Sequence, residues 1–322
     1  MLLILFITST FDPHVDYLIE QTRHDFFRLN TDEYLDYHQI NFEVTSNSIK
    51  SNIINNSGVP FDVKSITSAY YRRPEIPKKI INILDDNIKQ LVEAETKEFL
   101  RQFYHSYPEI KWLCSPWKIY FARGRLNQLV QAKKMGFKIP QTLFTSSKEE
   151  LLKFFNKCNQ KIIIKTINSG SCVKHKDDLE PIYTEVIDST NIDALNFELL
   201  KNSPSLFQEF IDAEYELRIT SVGIKNFSVK ITSNITDWRK RDALPSYSTY
   251  DLPTAVSEGL SKYLEYYKLN FGCFDLMKGK NGEYYFLELN PNGQWLWLEL
   301  ETGIPIGKSI VDFLEATQKK YK

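Results

Sequence analysis

Cysteine is scarce and poorly placed for chemistry. The chain has four, Cys114, Cys158, Cys172 and Cys273, widely scattered and without a C-x-x-C pair. That argues against a disulfide framework or a zinc site and fits a reducing cytoplasm. An excess of either charge is missing too: 40 Lys and Arg stand against 41 Asp and Glu, for a net charge of −1. No global field therefore draws the protein to nucleic acid or to a membrane. The apolar opening, Met1-Leu-Leu-Ile-Leu-Phe-Ile7, is too short to cross a bilayer and lacks the basic start of a signal peptide. It reads as a buried first strand in a cytosolic, soluble protein. None of the five histidines (His14, His24, His38, His105, His175) has metal-ligand spacing, and G-x-S-x-G, G-x-G-x-x-G and the Walker G-x-x-x-x-G-K-[ST] do not occur. These absences count against hydrolase, dehydrogenase and P-loop readings. There is no internal repeat or low-complexity tract.

What is present is size and aromatic content. The 322 residues suffice for two or three domains with a substantial core, and 18 Tyr with 21 Phe suit extensive sheets and binding surfaces. Leu2–Thr8, a helical pattern on Val15, Leu18 and Ile19, and Phe26–Asn30 read as β-α-β, hence a small α/β domain with a parallel sheet. A hairpin is expected around Asn55-Asn56-Ser57-Gly58, and a long amphipathic helix over 80–104. The first domain is set at 1–117, a central one at 118–210 and a C-terminal one at 211–322. The central segment is expected to hold a helix over 119–135, a short helix over 148–156 capped by Ser147, a strand Lys161–Lys165, a return strand 182–187, a helical stretch over 189–203 and a strand 206–211. Beyond it come a strand meander, a helix near 254–267, a hairpin and a C-terminal helix over 307–319.

The chemistry concentrates in that hairpin, Phe271-Gly-Cys-Phe-Asp275 through Glu288-Leu-Asn290-Pro-Asn-Gly-Gln-Trp295. Asn281-Gly282 is the turn signal, since both residues tolerate positive φ. A two-residue turn there pairs 280 with 283 and ultimately 275 with 288, so Asp275, Glu288 and Asn290 converge on one face. Two carboxylates and an amide oxygen form a hard oxygen site, suited to Mg²⁺ or Mn²⁺ held partly by a substrate's phosphates. Acidic residues on a hairpin are often merely solvated, but Tyr-Phe-Leu-Glu-Leu-Asn-Pro is an apolar strand in which an unpaired carboxylate is costly.

Further residues offer partners for a nucleotide. Lys165 ends an apolar strand before the small-residue loop Ser169-Gly170-Ser171, an arrangement that either cradles phosphate or merely carries the lysine head into water. Gln208-Glu209-Phe210-Ile211 gives an extended backbone edge able to pair with adenine. Glu216 is placed to bond a ribose, with Arg218 two residues on along the same strand face; an exposed salt bridge between the two is the alternative. Arg239 and Arg241 form a basic cluster that is either a surface charge run or a clamp for a phosphoryl group or an acidic substrate.

The order of these pieces resembles the ATP-grasp superfamily: strand lysine, small-residue loop, Q-E-F-I hinge, E-x-R strand, then Asp and, thirteen residues on, Glu-x-Asn. The match covers roughly 115–320, and E-L-N-P-N-G-Q-W is its most specific piece. With Tyr71-Arg72-Arg73-Pro74 and Gly136-Phe-Lys-Ile-Pro-Gln-Thr-Leu it is similar to the peptide maturases that make microviridin-type peptides, or graspetides. The resemblance implies an N-terminal α/β pre-ATP-grasp domain and two α+β subdomains sandwiching ATP. It implies that Lys165 contacts the α/β-phosphates, that the 169–171 loop covers them, and that Glu209–Ile211 meets adenine. It also implies that Glu216 takes the ribose and that Asp275, Glu288 and Asn290 hold Mg²⁺, as two ions, with Mn²⁺ an alternative. Two departures stand out. Arg125 occupies the place of a second phosphate-binding lysine, and Cys273 stands where D-alanine ligase-type relatives have an arginine, so Arg218, Arg239 or Arg241 would stabilise the transition state.

The implied reaction is ATP-dependent activation of Glu or Asp side chains of a precursor peptide as acyl phosphates. Capture by Ser or Thr hydroxyls gives esters, and capture by Lys amines gives amides. The implied partner is a precursor with a leader and an acidic, hydroxyl-rich core, and the enzyme a possible homodimer. Rival readings are a glutamate-adding carboxylate–amine ligase, a phosphotransferase and a binding module without catalysis.

Overall fold

The computed structural model describes residues 3–54, 60–168, 172–175, 178–235, 238–240 and 242–316, with backbone only for 172–175 and 178–181. At its N-terminal end four parallel strands lie in the order Asp25–Asn30, Leu3–Thr8, Ser68–Tyr71, Lys111–Trp112. All six residues of Leu3–Thr8 are buried, as a continuous apolar run requires of a strand covered on both faces. Ile4, Phe6 and Tyr70 face a core shared with the C-terminal sheet, while Leu3, Leu5, Ile7 and Ala69 face the helix Asp86–His105. The expected hairpin tip at 55–58 lies outside the described residues, but the strands Ile49–Ile54 and Pro60–Asp62 flanking it pair antiparallel. The long helix expected from residue 80 is broken. A single turn, Lys78–Ile81, is followed by Asp86–His105, because the Asp85 carboxylate caps the second helix by accepting Asn87 N–H and Ile88 N–H.

The helix expected over 119–135 is likewise two helices, Pro116–Ala122 and Arg125–Lys134, parted at Arg123-Gly124. Gly124 is the N-cap of the second, which places Arg125 at its first turn. A four-stranded antiparallel sheet follows, in the order Glu185–Asp188, Lys161–Lys165, Ser205–Glu209, Thr142–Thr145. Leu151, Phe155, Ile162, Ile187, Leu200 and Phe207 fill the core beneath it. The return strand starts later than expected, at Glu185. A two-stranded ribbon, Cys172–His175 with Asp178–Pro181, precedes it and was not anticipated. The helical stretch over 189–203 shrinks to a 3₁₀ turn and Phe197–Asn202, which Asn196 caps.

The C-terminal sheet runs Ser246–Thr249, Lys225–Thr232, Ala213–Val222, Phe271–Gly279, Tyr284–Asn290, antiparallel throughout. Leu217, Ile219, Phe274 and Phe286 pack on Leu260, Tyr263 and Leu264 of the helix Thr254–Tyr266, so the alternate residues Glu216, Arg218 and Asp275 take the opposite face. The turn is not the two-residue one expected. Gly279 N–H donates to the Glu283 carbonyl at 2.9 Å, and Gly282, at φ 82°, closes the loop while Asn281 stays out of the left-handed region. Asn281 Oδ1 instead accepts Glu283 N–H at 3.2 Å, which favours a longer turn. Lys278 consequently pairs with Tyr284, one residue off the expected register, until a bulge between Asp275 and Leu276 restores it and sets Asp275 opposite Glu288. Leu296–Thr302, an unanticipated helix, and Ile306–Glu315 complete the fold; the expected end of the last helix, 317–319, lies outside the described residues.

Candidate active site

Asp275, Glu288 and Asn290 meet on the sheet face opposite the helix. Asn290 Nδ2 lies 3.2 Å from Asp275 Oδ2 and 3.1 Å from Glu288 Oε1, so one point is shared by all three side chains. Turning the amide over would set a third oxygen at that point. Two carboxylates and one amide oxygen form a set that Mg²⁺ fits, with positions left for phosphate oxygens. Among the described residues no group of three or more His, Cys, Asp or Glu gathers as a metal cluster, so this mixed set stands by itself.

Cationic side chains surround it. Arg218 Nη1 straddles both Asp275 oxygens at 2.8 Å each, and its Nη2 donates to the Gln294 carbonyl at 3.2 Å. Arg125 Nη2 sits 2.8 Å from Glu288 Oε2, and its Nη1 donates to the Thr166 carbonyl, next to Lys165. Among the described residues, the buried Nε–H groups of both arginines have no hydrogen-bond partner. Burial pushes the Asp275 carboxyl up despite Arg218, and the Glu288 charge adds to the rise. Burial also opposes ionisation of Glu288, but Arg125, Asn290, Lys165 and Arg218 together hold it well below the usual carboxylate range. Two carboxylates at facing strand positions thus divide their proton unequally. Burial lowers Lys165 as well, with Glu288 opposing and Arg125 assisting.

Arg218 pairs with Asp275, which lies directly across the sheet from it, and not with Glu216 as the alternative reading had it. Glu216 Oε2 instead accepts Trp238 Nε1–H at 3.2 Å. Both line a cavity of about 270 Å³ with Phe210, Ile211 and Met277, slightly below the range of roughly 300–1,000 Å³ usual for ligand pockets. The hinge is partly committed to internal bonds. Glu209 N–H donates to Gln141 O at 2.9 Å and Phe210 N–H to Lys161 O at 3.3 Å. The Glu209 carboxylate accepts Gln141 N–H and Nε2–H, and the Gln208 amide donates to Thr142 Oγ1. Phe210 and Ile211 are the hinge residues that line the cavity.

Arg239 is exposed, and its charge is felt at Lys165 and Asp275. Arg241, Ser169, Gly170 and Ser171 lie outside the described residues. Sequence reasoning passed over Met277 and Trp238. Met277 was findable, two residues beyond Asp275 on the same strand face; Trp238, in an irregular segment, had no periodic signal. Cys273 neighbours Arg218: a Cβ on Gly293 would come 2.6 Å from Cys273 Cβ and 2.9 Å from Arg218 Nη2. Cys273 and the Arg218 guanidinium therefore both crowd Gly293.

Fold and site together define an ATP-grasp ligase, an ATP-dependent enzyme. Residues 3–119 match the family profile of the MvdD pre-ATP-grasp domain. The whole chain is similar to a RiPP-associated ATP-grasp ligase of Chryseobacterium gregarium, solved with ADP and a leader and core peptide, at 26% identity and TM-score 0.85 over 98% of this chain and 96% of that one. It is similar also to the macrocyclase MdnC of Microcystis aeruginosa bound to its precursor peptide MdnA (25% identity, TM-score 0.83, 98% and 99% coverage). The macrocyclase MdnB of the same organism is a third such structure (26%, 0.78, 98% and 99%). A search of curated protein sequences finds no match.

Proposed function

We propose that this ligase activates Glu or Asp side chains of a ribosomal precursor peptide with ATP and joins them to Ser or Thr hydroxyls or Lys amines, forming macrocycles. The observation that carries this is the convergence of Asp275, Glu288 and Asn290 between Arg218 and the Arg125–Lys165 pair, beside a cavity at a strand hinge. It is supported by likeness to ligases solved with precursor peptides.

A carboxylate oxygen of the peptide attacks the γ-phosphorus, the bond to ADP breaks, and an acyl phosphate forms. The hydroxyl or amine then attacks the acyl carbon, phosphate departs, and the nucleophile's proton is released. Asp275, Glu288 and Asn290 would hold Mg²⁺, which neutralises phosphate charge when bound. Lys165 would contact the α/β-phosphates, Arg125 would stand in for a second phosphate-binding lysine, Glu216 would take the ribose, and Glu209–Ile211 would meet adenine. Arg218, Arg239 and Arg241 stabilise charge on the transferring group, while Ser169–Ser171 closes over the phosphates and keeps water from the acyl phosphate. On the same reading two divalent ions serve, Mn²⁺ can replace Mg²⁺, the peptide core is acidic and hydroxyl-rich, and the cytoplasmic enzyme works as a homodimer with domains 1–117, 118–210 and 211–322. Among the described residues no helix is long and apolar enough to cross a membrane.

The test is to incubate the protein with ATP, Mg²⁺ and the peptide encoded beside its gene, then weigh the product. Loss of one water per crosslink is expected. Gain of an amino-acid residue would instead mean a glutamate-adding ligase, gain of phosphate a phosphotransferase, and no ATP turnover a binding module.

A further inference from the structure

The function above uses Glu288 and Asn290 but leaves unexplained the rest of that run, Pro291-Asn-Gly-Gln-Trp295, and also Tyr71-Arg72-Arg73-Pro74. The structure brings these two segments together. Arg72 is 1% exposed, and arginine is almost never buried so fully without partners. Its Nη1 donates to the Asn292 carbonyl at 2.9 Å, and Asn292 Nδ2 donates back to the Arg72 carbonyl. Its Nη2 lies 3.3 Å from His14 Nε2, which also receives the Trp295 backbone N–H at 3.3 Å. A ring nitrogen that faces two donors carries no proton, so the His14 proton belongs on Nδ1, 3.3 Å from Asp12 Oδ1. Asp12 accepts Thr8 Oγ1–H at 2.7 Å, and Trp295 Nε1–H donates to Tyr70 OH at 3.3 Å.

Holding two lobes together would not by itself require this. Trp295 is wholly buried and packs edge-on against His14 and Tyr17, and apolar contact of that kind stabilises without the desolvation cost of a buried guanidinium. What Arg72 adds is direction. It fixes the backbone at Asn292, two residues beyond Asn290. At Gln294, within the same loop, the carbonyl accepts Arg218 Nη2, whose other nitrogen straddles Asp275. Asn290 along the chain and Asp275 through Arg218 are thus both located relative to Arg72.

We infer that Arg72 is a positioning residue for the cation site, acting through the 291–295 loop. The inference rests on the metal reading above, and Arg72 itself touches neither nucleotide nor metal. Loss of a partner bonded directly to a ligand weakens metal binding by about 10- to 100-fold, and Arg72, which acts one step further out through Asn292, should fall at the lower end of that range. The experiment is Mn²⁺ titration followed by electron paramagnetic resonance, with saturating ADP, on the full chain and on Arg72→Gln and Asn292→Ala. Metal-free ADP affinity and melting temperature are measured in parallel. Mn²⁺ affinity should fall about 10-fold in Arg72→Gln and less in Asn292→Ala. The Mg²⁺ needed for half-maximal turnover should rise in step, while metal-free ADP affinity stays put. If Arg72→Gln does not fold, Asn292→Ala decides, since its half-buried side chain can be removed with Arg72 left in place. Folded variants that bind Mn²⁺ as the parent does would overturn the inference, and so would parallel loss of metal-free ADP affinity. A parent protein that binds no Mn²⁺ with ADP would remove the metal reading itself, and this inference with it.

Discussion

Two polar clusters of different design flank the stretch Asn290–Trp295. The first, at the junction with the N-terminal sheet, sets Asp12, one neutral imidazole and Arg72 together at 1%, 7% and 1% exposure. Its charges balance, and its hydrogen bonds run among protein groups. In the second, on the sheet face, four cations (Arg125, Lys165, Arg218, Arg239) act on Asp275 and Glu288, with side chains 10–24% exposed in the two ion pairs. A balanced, dry cluster suits holding a position, because its charges already offset one another, although Arg72 Nε–H, 4.0 Å from Asp12 Oδ2, and Asn292 Oδ1 have no hydrogen-bond partner among the described residues. An unbalanced, half-open one suits receiving an anion, because its four cations outnumber its two carboxylates. The comparison therefore divides labour: the junction should govern stability and placement, and the face should govern turnover.

Glu288→Gln is the sharpest way to break this division. The amide keeps the shape but removes the charge, so turnover should fall on the order of 10³-fold or more. Unfolding free energy should fall only by about 1–3 kcal/mol, from leaving Arg125 less well paired. Steady-state ATP hydrolysis with peptide and a denaturant titration check the two halves. A variant that unfolds readily yet turns over normally would reverse the assignment of roles.

Much of the face could be read in the sequence because strand alternation is a strict rule. Asp275, Glu288 and Asn290 share a face whichever turn joins the strands, provided the register is even. The register expected from Asn281-Gly282 was off by one near the turn, and a bulge at Leu287 cancelled the error. A bulge depends on packing across the sheet, which one strand's sequence does not display. The junction was illegible for a different reason. His14 and Trp295 are 281 positions apart, and Arg72 and Asn292 are 220 apart, so local patterns carried no trace of the contact. The breaks at Asn82–Asp85 and Arg123-Gly124 fell between these extremes: Asp85 and Gly124 were visible as capping residues, but amphipathic periodicity ran through them and concealed the interruption.

Gly293→Ala probes the point where the clusters meet and should have an intermediate effect. The added Cβ would come 2.6 Å from Cys273 Cβ, on a strand that cannot give way, and 2.9 Å from Arg218 Nη2. Overpacking of this kind costs about 1–3 kcal/mol, and displacing the Arg218–Asp275 pair by a fraction of an ångström should lower kcat by up to about 10²-fold. Both quantities should move together. If Tm drops with kcat intact, the junction and the face are less tightly joined than the Gln294–Arg218 bond implies.

The smallest effect should come from acid acting on the junction alone. Burial lowers the pKa of His14, with Arg72 and Arg73 adding to the fall and Asp12 opposing it. The unfolded chain therefore takes up a proton near pH 6.5 that the folded chain refuses, and stability is lost as pH falls below that value, by at most about 1.4 kcal/mol per pH unit. Asp12 behaves as a carboxylate held low: burial works against it, but His14, Thr8 and Arg72 bring it to about 2. Its contribution is present above the usual carboxylate range and disappears as pH falls through that lowered value. The two groups thus weaken the junction in successive windows, His14 first. Melting curves of the parent and of His14→Gln at pH 7.0 and 5.5 should show the parent losing a few degrees more than the variant over that interval. Equal losses would mean that acid acts elsewhere, and that the neutral imidazole between Asp12, Arg72 and Trp295 is not what holds the loop at neutral pH.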